Sequence, residues 1–233
     1  MTILITGASS GIGYATAIEL AVQNHHVIAV ARSKDKLENL KKECIKLNAQ
    51  AGITVVAADI SREEGRGAIK DVLNKTGLDV LINNAGYLVT KPFEELTQTD
   101  WQEVYQTNVF SLVAVTQMCV PYLQKSKKAH IVNITSMGGV QGSSKFSGLS
   151  AYSSSKGAVS ILTECLAEEL KDKNIAVNAL AMGAVETPML NKAFPGYKAP
   201  LTSATAAEFI AWFAVNGRNL FNGKILPVSI STP

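Results

Sequence analysis

Thr2-Ile-Leu-Ile-Thr6 runs directly into Gly7-Ala-Ser-Ser-Gly-Ile-Gly13, and the residues after it take on a helical pattern. A β-branched run, a glycine turn and a helix, in that order, make a strand–turn–helix unit of an α/β chain. Gly7, Gly11 and Gly13 let backbone come close to a pyrophosphate, whose charge is favoured at a helix N-terminus. The literal G-x-G-x-x-G fingerprint is absent, because residue 16 is Thr. Since a plain strand–helix connection also uses glycines, the turn takes its meaning from its surroundings.

Outward from this unit the alternation continues to the end of the chain. Short apolar runs predict strands at Ile3–Thr6, Val27–Ala31, Thr54–Ala57, Val80–Asn83, His130–Thr135, Ala176–Leu180 and Ile225–Val228. Helical periodicity predicts helices at about 12–23, 34–47, 62–75, 100–124, 152–171 and 205–215. Ser61 with Glu64 and Thr205 with Glu208 fit capping boxes at two of the starts. Most strands are apolar without alternation, as expected where helices cover both faces of a sheet. The pattern predicts a single doubly wound Rossmann-type α/β domain spanning 1–233, with a parallel seven-stranded sheet. Ligands in that architecture sit beyond the carboxyl ends of the strands.

Composition agrees with a soluble globule: 233 residues, 47% hydrophobic and 18% charged. A net charge of +3, without any run of Lys or Arg, argues against nucleic acid as a partner. No apolar stretch is long enough to cross a bilayer, so no membrane partner is expected. The first strand pattern starts at once, so no signal or transit peptide is expected. Cys44, Cys119 and Cys165 are widely spaced and read as reduced thiols of a cytoplasmic protein. His25, His26 and His130 offer no metal-ligand spacing, and no metal site is expected.

Several strand ends carry groups suited to a dinucleotide. Arg32 stands after the second strand, where a carboxylate would bond an adenosine ribose and oppose a 2′-phosphate. A guanidinium there favours NADP over NAD, although a solvated arginine in a basic turn would look the same. Asp59 follows the third strand and could meet an adenine amino group. Asn83-Asn-Ala-Gly86 follows the fourth, with Gly86 permitting close backbone approach. Tyr152 and Lys156 lie four apart, one above the other on a helix face. Alone, that pair describes many helix surfaces.

Together and in this order, these pieces resemble the short-chain dehydrogenase/reductase family, in its compact oxidoreductase branch. The resemblance covers practically the whole chain: TGASSGIG at 6–13, DI at 59–60, NNAG at 83–86, Asn108, Ser136, Tyr152-x-x-x-Lys156 and GAVET at 183–187. It implies that Tyr152 gives a proton to a carbonyl, or takes one in alcohol oxidation. Lys156 would lower the pKa of Tyr152 and bind the nicotinamide ribose. Ser136 would bond the substrate oxygen, and Asn108 would help hold a water linking Lys156 to solvent. NADP contacts would come from Gly7, Ser9, Ser10, Gly11, Ile12, Gly13, Arg32, Asp59, Ile60, Asn83, Ala85, Gly86, Val185 and Thr187, besides Tyr152 and Lys156.

Departures from the family pattern fall mainly on the substrate side, besides a final strand at 222–229 that lacks the common Asp-Gly-Gly ending. Met182-Gly183 replaces the usual Pro-Gly, which should loosen that turn. The Ser136–Tyr152 interval is longer than is common, through Gly142-Ser-Ser-Lys-Phe-Ser-Gly148. A short segment of about 188–202 is expected to cover the substrate, with Met189, Leu190, Phe194 and Tyr197 either contacting it or packing on the domain. The helices bearing Asn108 and Tyr152 are apolar on more than one face, and the resemblance implies a homodimer or homotetramer. The leading expectation is an NADP(H)-dependent reductase of a ketone or 3-oxoacyl substrate. An alcohol dehydrogenase running toward oxidation, or a catalytically silent NADP-binding redox sensor or regulator, stays open.

Overall fold

The computed structural model describes residues 1–230; the last three residues of the predicted 1–233 span lie outside the described part. Nine strands and eight α-helices alternate through it. In chain order they are β1 (Thr2–Thr6), α1 (Gly11–Val22), β2 (His26–Ala31), α2 (Lys34–Leu47), β3 (Ile53–Ala57), α3 (Glu63–Thr76) and β4 (Val80–Asn83). There follow α4 (Gln98–Tyr105), a π-helical turn at Gln106–Phe110, α5 (Ser111–Leu123), β5 (His130–Ser136), α6 (Ser150–Glu169) and β6 (Ala176–Met182). The last elements are β7 (Val185–Glu186), α7 (Pro188–Ala193), β8 (Leu201–Thr202), α8 (Ser203–Asn216) and β9 (Ile225–Val228).

Seven strands form one parallel sheet in the order β3-β2-β1-β4-β5-β6-β9, a Rossmann-type arrangement. Successive side chains alternate faces, so β1 sends Ile3 and Ile5 one way and Leu4 the other. The first face packs against Leu20 of α1, Leu37 and Leu40 of α2, and Ile210 and Phe213 of α8. The opposite face meets Ile69 and Leu73 of α3, Val115, Cys119 and Leu123 of α5, and Ala167 of α6. Both faces are thus covered, and this explains the unbroken apolar strands of the sequence. Pro227 stands in β9 at the sheet edge, where a missing N–H costs no ladder bond to a further strand.

Local details differ from expectation in instructive ways. The predicted 100–124 helix is interrupted by the π turn, which centres on the buried Asn108. Ser61 does not cap α3: its N–H and hydroxyl both donate to Asp59, and Arg62 occupies the cap position without a side-chain bond. Thr205 does not start α8 either. Thr202 does so, accepting from the Thr205 N–H at 3.1 Å. A full capping box exists instead at Thr97 and Asp100 of α4. Met182 is not a loosened turn, because it continues β6 and pairs with both Ser136 and Val228. Gly183 is required by crowding: a Cβ there would lie 2.4 Å from Ser229 Oγ.

Candidate active site

One cavity of about 1140 Å³ opens at the carboxyl ends of β1, β2, β4, β5 and β6. Single-ligand pockets usually hold roughly 300–1,000 Å³, so this space suits two bound molecules side by side. Gly7, Ser9, Ser10, Gly11 and Ile12 form one wall. Ser10 begins α1 without a side-chain cap, so no side chain of its own competes for the first-turn N–H groups there. Those groups, with the partial positive charge of the helix N-terminus, suit a phosphate.

The second strand ends at the exposed Arg32, which lines the cavity; among the described residues its guanidinium has no hydrogen-bond partner. Asp59 and Ile60 line the same end. The bonds from Ser61 hold the Asp59 carboxyl below its usual pKa, with Arg32 and Arg62 adding to the effect. Ala85 and Gly86 form the middle of the wall, and Val185 and Thr187 close it from the far side. This donor set and guanidinium fit a nicotinamide dinucleotide.

Two expected contacts are placed elsewhere. Asn83 turns away from the cavity and is buried, donating to Thr116 Oγ1 at 3.0 Å and Asn133 Oδ1 at 2.9 Å. Its neighbour Asn84 lines the cavity instead and donates to the carbonyls of Thr6 and Gly7 at 2.9 and 3.2 Å. The strand period carries the signal: Asn83 belongs to the buried strand, so the next side chain must face the other way. Gly13 is behind the wall, where an added Cβ would lie 2.3 Å from Asn84 Nδ2 and 2.6 Å from the Gly7 carbonyl oxygen. Its absent side chain lets β1, α1 and the β4 end close on one another.

Ser136 ends β5 and Tyr152 sits in the first turn of α6, both on the cavity wall. Ser136 Oγ accepts from the Gly138 N–H at 3.2 Å, which leaves its own proton free to be donated. Gly139 packs against the backbone of α6, and a Cβ there would fall 2.6 Å from both the Lys156 carbonyl carbon and the Gly157 nitrogen. The loop after β5 is thereby seated on α6, which fixes Ser136 relative to Tyr152.

Lys156 is buried beneath this pair, its Nζ donating to the Ile134 carbonyl at 2.8 Å and lying 5.8 Å from the Tyr152 ring centre. Desolvation pushes Tyr152 up to about 12, and the facing Ser136 hydroxyl draws it partly back. Desolvation also lowers Lys156 to about 8. The Ser136 hydroxyl is the group that draws the phenol down here, and the Lys156 ammonium lies close enough to favour a phenolate once one forms. A neutral phenol and a largely protonated ammonium coexist near pH 7.

Asn108 binds protein with all its donors: Nδ2 donates to the Tyr87 carbonyl at 3.0 Å and Ser155 Oγ at 2.9 Å. Its Oδ1 accepts from the Tyr87 N–H at 2.7 Å. Ser155 in turn donates to the Tyr152 carbonyl at 2.7 Å. Asn108 thus ties the segment after β4 to the turn of α6 that carries Tyr152. Ser155 was not singled out by sequence, though its place between Tyr152 and Lys156 on one buried turn was available as a signal. Gly86 lies over this polar floor, and a Cβ there would be 3.6 Å from both Asn108 Oδ1 and Lys156 Nζ.

Comparison with known proteins bears on the family and the fold. The sequence pattern of the short chain dehydrogenase family matches residues 1–198. The chain belongs to that family. A 3-oxoacyl-[acyl-carrier-protein] reductase of Thermotoga maritima is 38% identical over 190 residues, covering 81% of this chain and 76% of that protein. L-sorbose reductase of Gluconobacter frateurii, solved with NADPH and L-sorbose, superposes with a TM-score of 0.88 at 25% identity, covering 99% of this chain and 95% of that one. A 3-ketoacyl-(acyl-carrier-protein) reductase of Brucella melitensis, solved with NADH, gives 0.87 at 28% identity over 97% of this chain and 96% of that one. As a short-chain dehydrogenase, the protein is an oxidoreductase with a nicotinamide nucleotide site. Among the described residues, no helix is long and apolar enough to cross a membrane, and no group of acidic, His and Cys residues could hold a metal.

Proposed function

We propose that this chain is an NADP(H)-dependent reductase that converts a carbonyl, of a ketone or 3-oxoacyl substrate, to an alcohol, with Tyr152 as proton donor. The observation that carries the reading is the convergence of the Ser136 and Tyr152 hydroxyls on one cavity wall above a buried Lys156. The bound nicotinamide supplies the hydride. Negative charge then develops on the carbonyl oxygen, where the Ser136 hydroxyl and the Tyr152 proton stabilise it together. A phenol held at about 12 keeps its proton until that charge appears. Once the proton leaves, the Lys156 ammonium steadies the phenolate, and Ser155 and Asn108 hold the tyrosine-bearing turn in place.

NADP is preferred over NAD because Arg32 offers an unpaired guanidinium to a 2′-phosphate. The T. maritima relative supports a 3-oxoacyl type of substrate, and the sorbose reductase a small ketone. The nucleotide contacts expected from the turn at 7–13 and from Asp59, Ile60, Ala85, Gly86, Val185 and Thr187 belong to the same reading, with Asn84 taking the place of Asn83. Residues 1–233 act as one domain, with 188–202 covering the substrate. A cytoplasmic homodimer or homotetramer belongs to the same reading, supported by the free thiols and by the exposed Ile161 on the Tyr152 helix.

Cofactor titration combined with a ketone and 3-oxoacyl thioester panel tests the reading. NADPH should bind more tightly than NADH, and Arg32→Ala should cut that preference by about tenfold or more, as expected for charge-assisted bonds. Equal affinity for both cofactors in the parent protein refutes the Arg32 argument. Tight NADPH binding without turnover across the panel favours a silent sensor.

A further inference from the structure

The two segments that depart most from the family pattern meet across the cavity mouth. Phe146, from the long interval before Tyr152, and Phe194, at the end of α7, pack edge to face with ring centres 6.3 Å apart and planes at 62°. Both rings line the cavity. Phe146 is 57% exposed, so burial in the core is not what places it there. Its loop is fastened at both ends, by Gly139 on α6 and by the Lys91 N–H donating to the Gly148 carbonyl at 3.1 Å. Between these anchors it braces itself, with Lys145 Nζ donating to the Val140 and Ser143 carbonyls at 2.7 and 2.8 Å. Phe194 is fixed by its N–H on the Leu190 carbonyl at 2.8 Å.

Phe146 also forms one wall of a second cavity of about 420 Å³, together with Pro92, Phe93 and Ser153. The ring therefore has space on the side away from Phe194 and can part from it when a substrate enters. Inside the mouth, Leu88, Leu149, Met189 and Leu190 present apolar surface. The charged residues that line the main cavity are Arg32, Asp59 and Glu103, and the first two stand at the nucleotide end. Among the described residues lining the substrate half, Glu103 is a carboxylate and no cation is exposed; the Lys156 ammonium is buried beneath the wall, with its Nζ on the Ile134 carbonyl.

We propose that Phe146 and Phe194 are a specificity-determining pair that selects an uncharged ketone with a flat apolar body and rejects free keto acids. The inference rests on the reductase reading and narrows its substrate class. An aryl or similar group inserted between the two rings replaces their mutual contact with two new ones. A substrate carboxylate would lose its hydration in an apolar mouth whose described lining offers it no exposed cation, the Lys156 ammonium being buried and bonded to the Ile134 carbonyl, while Glu103 repels it.

Four compounds separate ring from charge: ethyl benzoylformate, benzoylformate, ethyl pyruvate and pyruvate. Steady-state rates with saturating NADPH should favour each ester over its acid by about a hundredfold in kcat/KM. The preference for ethyl benzoylformate over ethyl pyruvate should fall about tenfold in Phe146→Ala, chiefly through KM, and Phe194→Leu should reproduce the direction. The double variant should lose little beyond either single one, because the two rings act as a unit. Acids turned over as well as esters, or a ring preference unmoved in both variants, overturns the proposal. Calorimetric binding of the same compounds to the protein–NADP⁺ complex keeps the two readings apart. If nothing turns over while the ester and ring preferences persist in binding, the reductase reading fails and the specificity pair stands. If binding shows neither preference, the pair fails whatever the turnover.

Discussion

A Cβ added to Gly13 at the nucleotide end would lie 2.3 Å from Asn84 Nδ2, whereas one added to Gly142 or Gly196 beside the substrate mouth would meet nothing within 4 Å. Backbone against backbone builds the first region. Gly7 approaches Ala85, and Gly13 approaches Asn84 and the Gly7 carbonyl. The mouth is closed instead by side chains, chiefly Phe146 and Phe194, on turns with open space around them. A cofactor of fixed shape suits contacts that cannot change without moving strands. A substrate suits a wall that single residue changes can remodel. The prediction common to both regions is that changes at the nucleotide end cost stability and cofactor together, while changes at the mouth redistribute substrates.

The largest expected effect lies where the regions join. Tyr152→Phe removes the proton donor but keeps the ring and the α6 turn. It should lower kcat by about 10²–10⁴-fold, the usual worth of a positioned general acid. Steady-state assays with the best ketone of the panel and saturating NADPH measure it. A loss under tenfold would show that Tyr152 does not deliver the proton.

Next comes acid sensitivity of the rigid region, at the far end of the sheet. His130 begins β5 with Nδ1 3.0 Å from the Ala214 carbonyl of α8 and Nε2 3.0 Å from Asn178 Nδ2 of β6. The carbonyl can only accept, so Nδ1 carries the proton, Nε2 accepts from the amide, and the ring is neutral. Burial depresses its pKa from 6.5 to about 4. Between those values the unfolded chain binds more protons, so stability is complete above pH 6.5 and is lost as pH falls toward 4. At full extent the loss is about 3 kcal/mol. Urea unfolding at pH 7, 6, 5 and 4 should show the decline, and His130→Gln should flatten it even though it starts less stable. An equally steep decline in that variant would locate the sensitivity elsewhere.

Gly13→Ala attacks the close approach directly. The new methyl must displace Asn84 Nδ2 from its bonds to the Thr6 and Gly7 carbonyls, or push the Gly7 carbonyl away. Overpacking of this kind costs about 1–3 kcal/mol, or about 2–12 °C in Tm for a chain of this size. NADPH affinity should fall with it, because the displaced groups adjoin the phosphate wall. Melting curves with and without NADPH separate the two losses. An unchanged Tm would mean that the wall yields.

The nucleotide end was the more legible region because its signals are local. A strand, a glycine turn and a helix are neighbours in sequence, and Tyr152 with Lys156 needs one helical turn to be brought together. Where local reading failed, a competing partner had won. Ser61 fits a capping pattern, yet its hydroxyl goes to Asp59; Asn83 looks like a wall residue, yet the strand period buries it against Thr116 and Asn133. The π turn around Asn108 has no residue signature that separates it from ordinary helix, so the predicted helix ran straight through it. The Phe146–Phe194 contact was out of reach for another reason. It joins loops far apart in sequence, and nothing in either one specifies the other.

The smallest effect is the sharpest test of the contrast. Gly196 has φ +85°, and a Cβ there meets no atom within 4 Å. Gly196→Ala is therefore strained only by its backbone conformation, which for a residue with a Cβ costs roughly 1–2 kcal/mol. No strand or nucleotide-wall atom has to move, so Tm should drop by no more than about 2–8 °C while NADPH affinity keeps its parent value. Gly13→Ala should lose both. If Gly196→Ala weakens NADPH binding as much as Gly13→Ala does, the mouth and the nucleotide wall are mechanically one piece, and substrate selection could not be altered at the mouth without cost to the cofactor.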